Sequence, residues 1–209
     1  EEEFLKRDVP YQVIGVKFYE RKEIKDILAY LRFALNPNDL LSLKRAINFP
    51  PKGIGKALFL KYLSKKELNQ KETEKVKGFE KIITDIGESI KTQKAPLAIK
   101  FALKRSGYLD ILNDKTEESE TRLFNLQELV TIATKFESWK APEGVEKLLE
   151  EAALMSEQDT PKDKKEGVKL MTVHAAKGLE FDYVFIAGLE DGLFPHLGNS
   201  GGLDEKNRQ

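Results

Sequence analysis

Cysteine is absent from this 209-residue sequence, which excludes a disulfide scaffold, a thiolate metal site and a cysteine nucleophile. Its two histidines cannot build a zinc centre unaided. No apolar run approaches the roughly 20 residues that span a bilayer, and the opening Glu1-Glu2-Glu3-Phe4 is the reverse of a signal peptide's basic start. A cytoplasmic location with no membrane partner is therefore expected. Also missing are a Gly-x-x-x-x-Gly-Lys-Ser/Thr phosphate loop and an Asp-Glu strand end of the kind that holds magnesium. Taken alone, the chain is expected to bind no cofactor and to hydrolyse no nucleotide.

Net charge is lacking as well, with 35 Lys and Arg against 35 Asp and Glu, but the balance hides an asymmetry. Residues 6–66 carry 14 basic side chains (Lys6, Arg7, Lys17 and onward to Lys66) against 5 acidic ones, and residues 67–209 hold the compensating acid. Only the first third has the character of a polyanion-binding surface; a solvated helix face whose Lys stems cover apolar surface is the plainer reading of the same charges.

What is present is chiefly helical. Tyr11 to Gly15 reads as a short strand, after which Ile24, Ile27, Leu28, Leu31, Ala34 and Leu35 share one face of a helix beginning at Lys22. Asn36-Pro37-Asn38-Asp39 stops it and caps a second helix, Leu40 to Ile47. Pro50 to Gly55 interrupts before a third, Lys56 to Glu67, and Val76, Phe79, Ile83, Ile86 and Ile90 mark a long fourth. Pro96 opens another, and Ser106-Gly107-Tyr108 punctuates it. Leu123, Leu126, Val130 and Ala133 form a long amphipathic helix closed by Trp139 and Pro142, followed by one through Val145, Leu148, Leu149 and Ala152. Trp139 and the phenylalanines are assigned to the core, and Arg122 to a solvated helix face. Residues 156–167 lack apolar side chains and read as a linker. Beyond it, Val168 to Val173 and Tyr183 to Ala187 read as buried parallel strands. The expected fold is mainly α: an all-helical domain inserted into part of an α/β domain.

Two stretches can carry chemistry. Pro51-Lys-Gly-Ile-Gly-Lys56 has the form of a helix-hairpin-helix turn, in which Gly53, Ile54 and Gly55 let backbone amides face a phosphate and Lys52 and Lys56 add charge. Glycine turns also join many helix pairs with no ligand. The second is Thr172-Val-His-Ala-Ala-Lys-Gly-Leu-Glu-Phe181, a polar turn after a strand, where open α/β sheets bind ligands. A plain turn at Lys177-Gly178 and a satisfied surface histidine at His174 explain the same residues.

The second string closely resembles motif V of UvrD/PcrA/Rep-type superfamily 1 DNA helicases, and Gly188-Leu-Glu-Asp-Gly-Leu-Phe-Pro-His196 resembles the segment that follows it. A further resemblance covers Pro10-Tyr-Gln-Val-Ile-Gly15 and Lys17-Phe-Tyr-Glu-Arg-Lys-Glu-Ile-Lys-Asp26, the family's path from its second motor domain into the accessory domain called 2B, and continues through Ala29-Tyr-Leu-Arg32 to the Gly-Ile-Gly turn. In the family two glycines commonly follow the strand, whereas here Gly15 is followed directly by Val16.

The resemblance implies a RecA-like motor segment at 1–19, a helical 2B domain at 20–155, a linker at 156–167 and a returning motor segment at 168–209. It implies that Glu180 accepts a hydrogen bond from the nucleotide ribose, with Lys177 and Gly178 near the phosphates, that His174 and Thr172 touch single-stranded DNA, and that Lys52, Gly53, Ile54, Gly55 and Lys56 hold duplex. The implied parent is an ATP- and Mg2+-dependent 3′–5′ helicase, with motif IV upstream of Glu1 and the motif VI arginine beyond Gln209. The implied partners are a single-strand/duplex junction and the rest of the helicase chain. A non-enzymatic DNA- or protein-binding module is the alternative, and the helicase subunit of a recombination helicase-nuclease a third reading.

Overall fold

A computed structural model of the chain describes residues 3–4, 7–13, 18–157, 167–171, 173–176 and 178–189. The chain divides into two units, Glu1–Leu170 and Met171–Gln209. In the first, a strand β1 (Tyr11–Val13) pairs in parallel with β2 (Val168–Leu170), Tyr11 opposite Val168 and Val13 opposite Leu170. Gly167 permits this pairing by close approach: a Cβ there would lie 2.5 Å from the Pro10 carbonyl oxygen, to which the Val168 amide donates at 2.9 Å.

Between the strands the chain is helical. A 3-10 turn (Phe18–Glu20) leads into α1 (Lys22–Leu35), then α2 (Leu40–Asn48), α3 (Lys56–Leu63), α4 (Gln70–Thr92), α5 (Ala95–Arg105), α6 (Tyr108–Ile111), α7 (Glu117–Ala133) and α8 (Glu143–Glu157). The mainly α expectation holds. The local reasons are visible: Asp39 accepts from the Ser42 amide at 3.0 Å to start α2, Asn69 and Glu72 form a capping box on α4, and Pro96 occupies the first turn of α5.

Helix α1 is the centre of the core. Ile24, Ile27, Tyr30 and Leu31 are wholly buried, each large apolar side chain contributing about 1.5–3 kcal/mol of burial energy. It packs against α2, α4, α5 and α7. Being enclosed on more than one face, it also buries Glu23 and Asp26, which lie off the face of Ile24, Ile27, Leu28 and Leu31. Both are satisfied from afar: Arg45 Nε and Tyr108 Oη donate to Asp26 at 2.6 and 2.9 Å, and Asn125 Nδ2 donates to Glu23 at 2.6 Å.

Four expectations need correction. The third helix ends at Leu63 and not at Glu67, because the chain turns through Lys65 at φ 50° and the Ser64 hydroxyl takes up the Leu60 carbonyl at 2.7 Å. Strand β2 stops at Leu170, and Val173 begins a short helix, α9 (Val173–Ala176). Tyr183 to Ala187 forms no strand; Tyr183 and Phe185 are 86% and 93% exposed, with no partner strand bonded to this stretch among the described residues. Trp139 is 44% exposed, its ring taking the Lys147 ammonium at 5.8 Å in place of a core contact. Arg122, expected on a solvated helix face or in an intrahelical pair, is half-buried and pairs with Glu118 one turn away at 2.5 Å. No helix of the described residues is long and apolar enough to cross a membrane. The expected double-glycine position at Gly15 and Val16 lies outside the described residues, as does most of the expected linker.

Candidate nucleic-acid interface

The turn between α2 and α3 is built on Tyr30. Its hydroxyl donates to the Phe49 carbonyl at 3.0 Å, and the Phe49 ring meets that of Tyr108 edge-on at 5.2 Å. Burial pushes the Tyr30 hydroxyl well above the ordinary phenol range, so it stays a neutral donor. Ile54, only 4% exposed, pins the tip of the turn to the core. On either side of it the backbone is bare: Gly53 and Gly55 are exposed, and Lys56 and Ala57 follow them at the surface.

The two glycines differ in kind. Gly53 has φ +69°, a conformation that L side chains rarely adopt. Gly55 is extended at φ −76°, ψ 174°, and a Cβ added to it would meet nothing within 4 Å. The fold thus requires glycine at the first position and leaves the second open. Gly55 is the N-cap of α3, and no side chain caps that first turn, which leaves donors directed outward with the positive end of the helix dipole behind them.

The lysines also differ. Lys52, assigned with Lys56 to phosphate contact, folds back: its ammonium donates to the Pro50 carbonyl at 2.8 Å and to the Tyr30 hydroxyl, lying 5.0 Å from that ring's centroid. Burial lowers its pKa to about 8. Lys56 is exposed and has no ion pair among the described residues. A lysine that sequence reasoning missed joins it: the Lys75 side chain of α4 lies over Gly53, its Nζ 3.3 Å from where a Cβ would be. Nothing in the sequence signals this, because it depends on how α4 packs. Lys61 and Glu72, 2.7 Å apart, tie α3 to α4 beside the turn, and that hydrogen bond, helped by the Asn69 amide, holds the Glu72 carboxyl below its usual range.

In the second unit, Gly178 has φ +83° with open space around it, the Leu179 amide donates to the Ala176 carbonyl at 3.0 Å, and Glu180 is exposed. His174 falls within α9, and Thr172 and Lys177 lie outside the described residues. An exposed carboxylate beside a bare glycine turn suits a ribose hydroxyl and the edge of a phosphate. No cluster of three or more His, Cys, Asp or Glu side chains that could hold a metal occurs among the described residues.

Compared with known proteins, residues 1–209 match the family described as UvrD-like helicase C-terminal domain. The chain is 36% identical over 218 residues to the ATP-dependent DNA helicase PcrA of Staphylococcus epidermidis, covering 94% of this chain and 30% of that protein. It is 36% identical over 234 residues to DNA helicase II of Rickettsia typhi, covering 100% of this chain and 35% of that protein. The PcrA helicase of Staphylococcus aureus is 35% identical over 218 residues. The chain spans about a third of the length of the curated relatives it matches.

Proposed function

The chain belongs to the UvrD-like helicase C-terminal domain family, and from that premise we propose that it is an internal section of an ATP-dependent 3′–5′ DNA helicase, supplying duplex binding and one wall of the ATP and single-strand site. Relatives named as helicases, each about three times its length, support the parent activity. The proposed division is a motor segment at 1–19, a helical accessory domain at 20–155, a linker at 156–167 and a motor segment at 168–209. The parallel pairing of β1 with β2 supports it, since the helices then leave and re-enter adjoining strands. The proposed partners are a single-strand/duplex junction and the rest of the helicase chain, in the cytoplasm.

The observation that carries the DNA role is the turn at Pro51 to Lys56: an uncapped helix start, two exposed glycines and the exposed Lys56. Such a surface holds phosphates without regard to sequence.

For the motor wall, Glu180 is the ribose acceptor, with Gly178 and Lys177 toward the phosphates and His174 and Thr172 toward the single strand. ATP with Mg2+ supplies the phosphoryl chemistry in the full-length protein; Glu180 orients the sugar and the Gly178 turn lets an anion approach the backbone. In that protein Glu180→Ala is expected to raise the KM for ATP about 10- to 100-fold, as loss of a charge-assisted hydrogen bond of about 1.5–3 kcal/mol does, while His174→Ala raises the single-stranded DNA concentration needed for half-maximal ATPase. Steady-state ATPase titrated first with nucleotide and then with DNA separates them. Wild-type-like curves for both variants would remove the assignment.

A further inference from the structure

We propose that the duplex-facing cations of the hairpin are Lys56 and Lys75, and that Lys52 is a positioning residue which never reaches the phosphate. The inference rests on the duplex-binding reading and deepens it. Three observations carry it. The Lys52 ammonium is committed inward, to the Pro50 carbonyl at 2.8 Å and to the Tyr30 hydroxyl and ring. Tyr30 in turn donates to the Phe49 carbonyl, so Lys52 and Tyr30 together grip both carbonyls that lead into the turn. The ammonium of Lys75 lies across Gly53, on the exposed tip, with no ion pair among the described residues.

Gly53 thereby does two things. It supplies the left-handed backbone, and it leaves a slot in which the Lys75 stem rests, Cε 3.2 Å from the missing Cβ. The Lys75 charge comes to the turn from α4, which the Lys61–Glu72 ion pair holds against α3. The two cations therefore arrive from two helices that are tied together.

Counterion release distinguishes a contact from a strut, because each neutralised phosphate adds about 0.9 to the magnitude of the slope of log K against log salt. The experiment uses the full-length protein without nucleotide, and a blunt labelled duplex titrated by fluorescence anisotropy from low to moderate salt. Lys75→Met and Lys56→Met are each expected to flatten the slope by about 1. Lys52→Met and Tyr30→Phe are expected to weaken binding several-fold at every salt concentration while the slope stays that of wild type. Tyr30→Phe keeps the charge of Lys52 and removes one of its two hydrogen-bond anchors together with the bond to the Phe49 carbonyl, so it serves as the test should Lys52→Met fold poorly. The proposal is overturned if Lys52→Met flattens the slope and Lys75→Met leaves it, or if Tyr30→Phe binds like wild type. Failure of the wild-type protein to bind duplex at all would instead remove the duplex-binding reading itself.

Discussion

Lys52 and Asp26 show how a single side chain's role is decided by residues far away in sequence. Asp26 is held by Arg45 and by Tyr108, 82 positions along the chain, and Lys52 by Tyr30, 22 positions before it. Helical periodicity sets Asp26 off the apolar face of its helix, and the glycine turn offers Lys52 to a phosphate; neither pattern contains the partners, Arg45, Tyr108 and Tyr30, that make burial tolerable. Lys75 was invisible for the same reason. A pH dependence follows for Lys52. Its folded pKa of about 8 lies below the ordinary 10.5, so between those values the unfolded chain binds the proton that the folded chain has released. Stability from this group is therefore lowest below pH 8 and rises toward pH 10. Tyr19, Tyr30 and Tyr108, whose pKa values burial raises, oppose it only above pH 10. Urea midpoints of wild type, taken relative to Lys52→Met, should climb from pH 7.5 to 9.5, the window fixed by the two Lys52 values. A difference that is flat or falls across that window would contradict the burial of Lys52.

The elements were legible where the chain marks its own boundaries. Asn69 with Glu72, Asp39 with Ser42, and Pro96 each name a helix start through a local hydrogen bond or a missing amide, and the spacing of Val76, Phe79, Ile86 and Ile90 gives the buried face of α4. The turn between α2 and α3 was legible as glycine punctuation, though the division of labour between Gly53 and Gly55 was not, because it turns on φ and on what a Cβ would touch. The expected strand at Tyr183 to Ala187 failed: apolar β-branched composition states a preference that only a bonded neighbour realises. The strand pair that does form depends on Gly167, which carries no periodicity at all. Gly167→Ala would press a methyl to 2.5 Å from the Pro10 carbonyl oxygen. Overpacking of this kind costs about 1–3 kcal/mol, expressed as loss of the first β1–β2 contact. Amide hydrogen exchange at Val168, whose N–H bonds the Pro10 carbonyl, should speed up in the variant with exchange in α1 unchanged. Unchanged protection at Val168 would show that the strands do not need this approach.

At the scale of the whole molecule, charge and architecture agree. The basic stretch 6–66 holds the turn, and the acid excess lies at Glu1–Glu3 and downstream of residue 66. The family and the mainly α fold were both legible in the sequence, through motif strings and helix punctuation; the cation set was not, because Lys75 reaches the turn from α4, 22 positions beyond Gly53. The central claim is that the bare backbone at Gly53 to Gly55 holds duplex phosphates, and Gly55 offers the most direct test of it. Its extended φ and ψ lie outside the left-handed region, and a side chain there meets nothing in the protein, so Gly55→Val alters the approach of a ligand at the cost to the fold of a poorer N-cap. The measurement is anisotropy of the full-length protein, without nucleotide, on two blunt duplexes of unrelated sequence across a salt series, with a thermal melt of each protein. Wild type should bind both duplexes alike, with a slope of log K against log salt of roughly −2 to −4 for about two to four phosphates. Gly55→Val should melt within a few degrees of wild type and bind about tenfold or more weakly, or about 1.4 kcal/mol. If Gly55→Val binds both duplexes as wild type does, the turn is a helix connector and the duplex is held elsewhere.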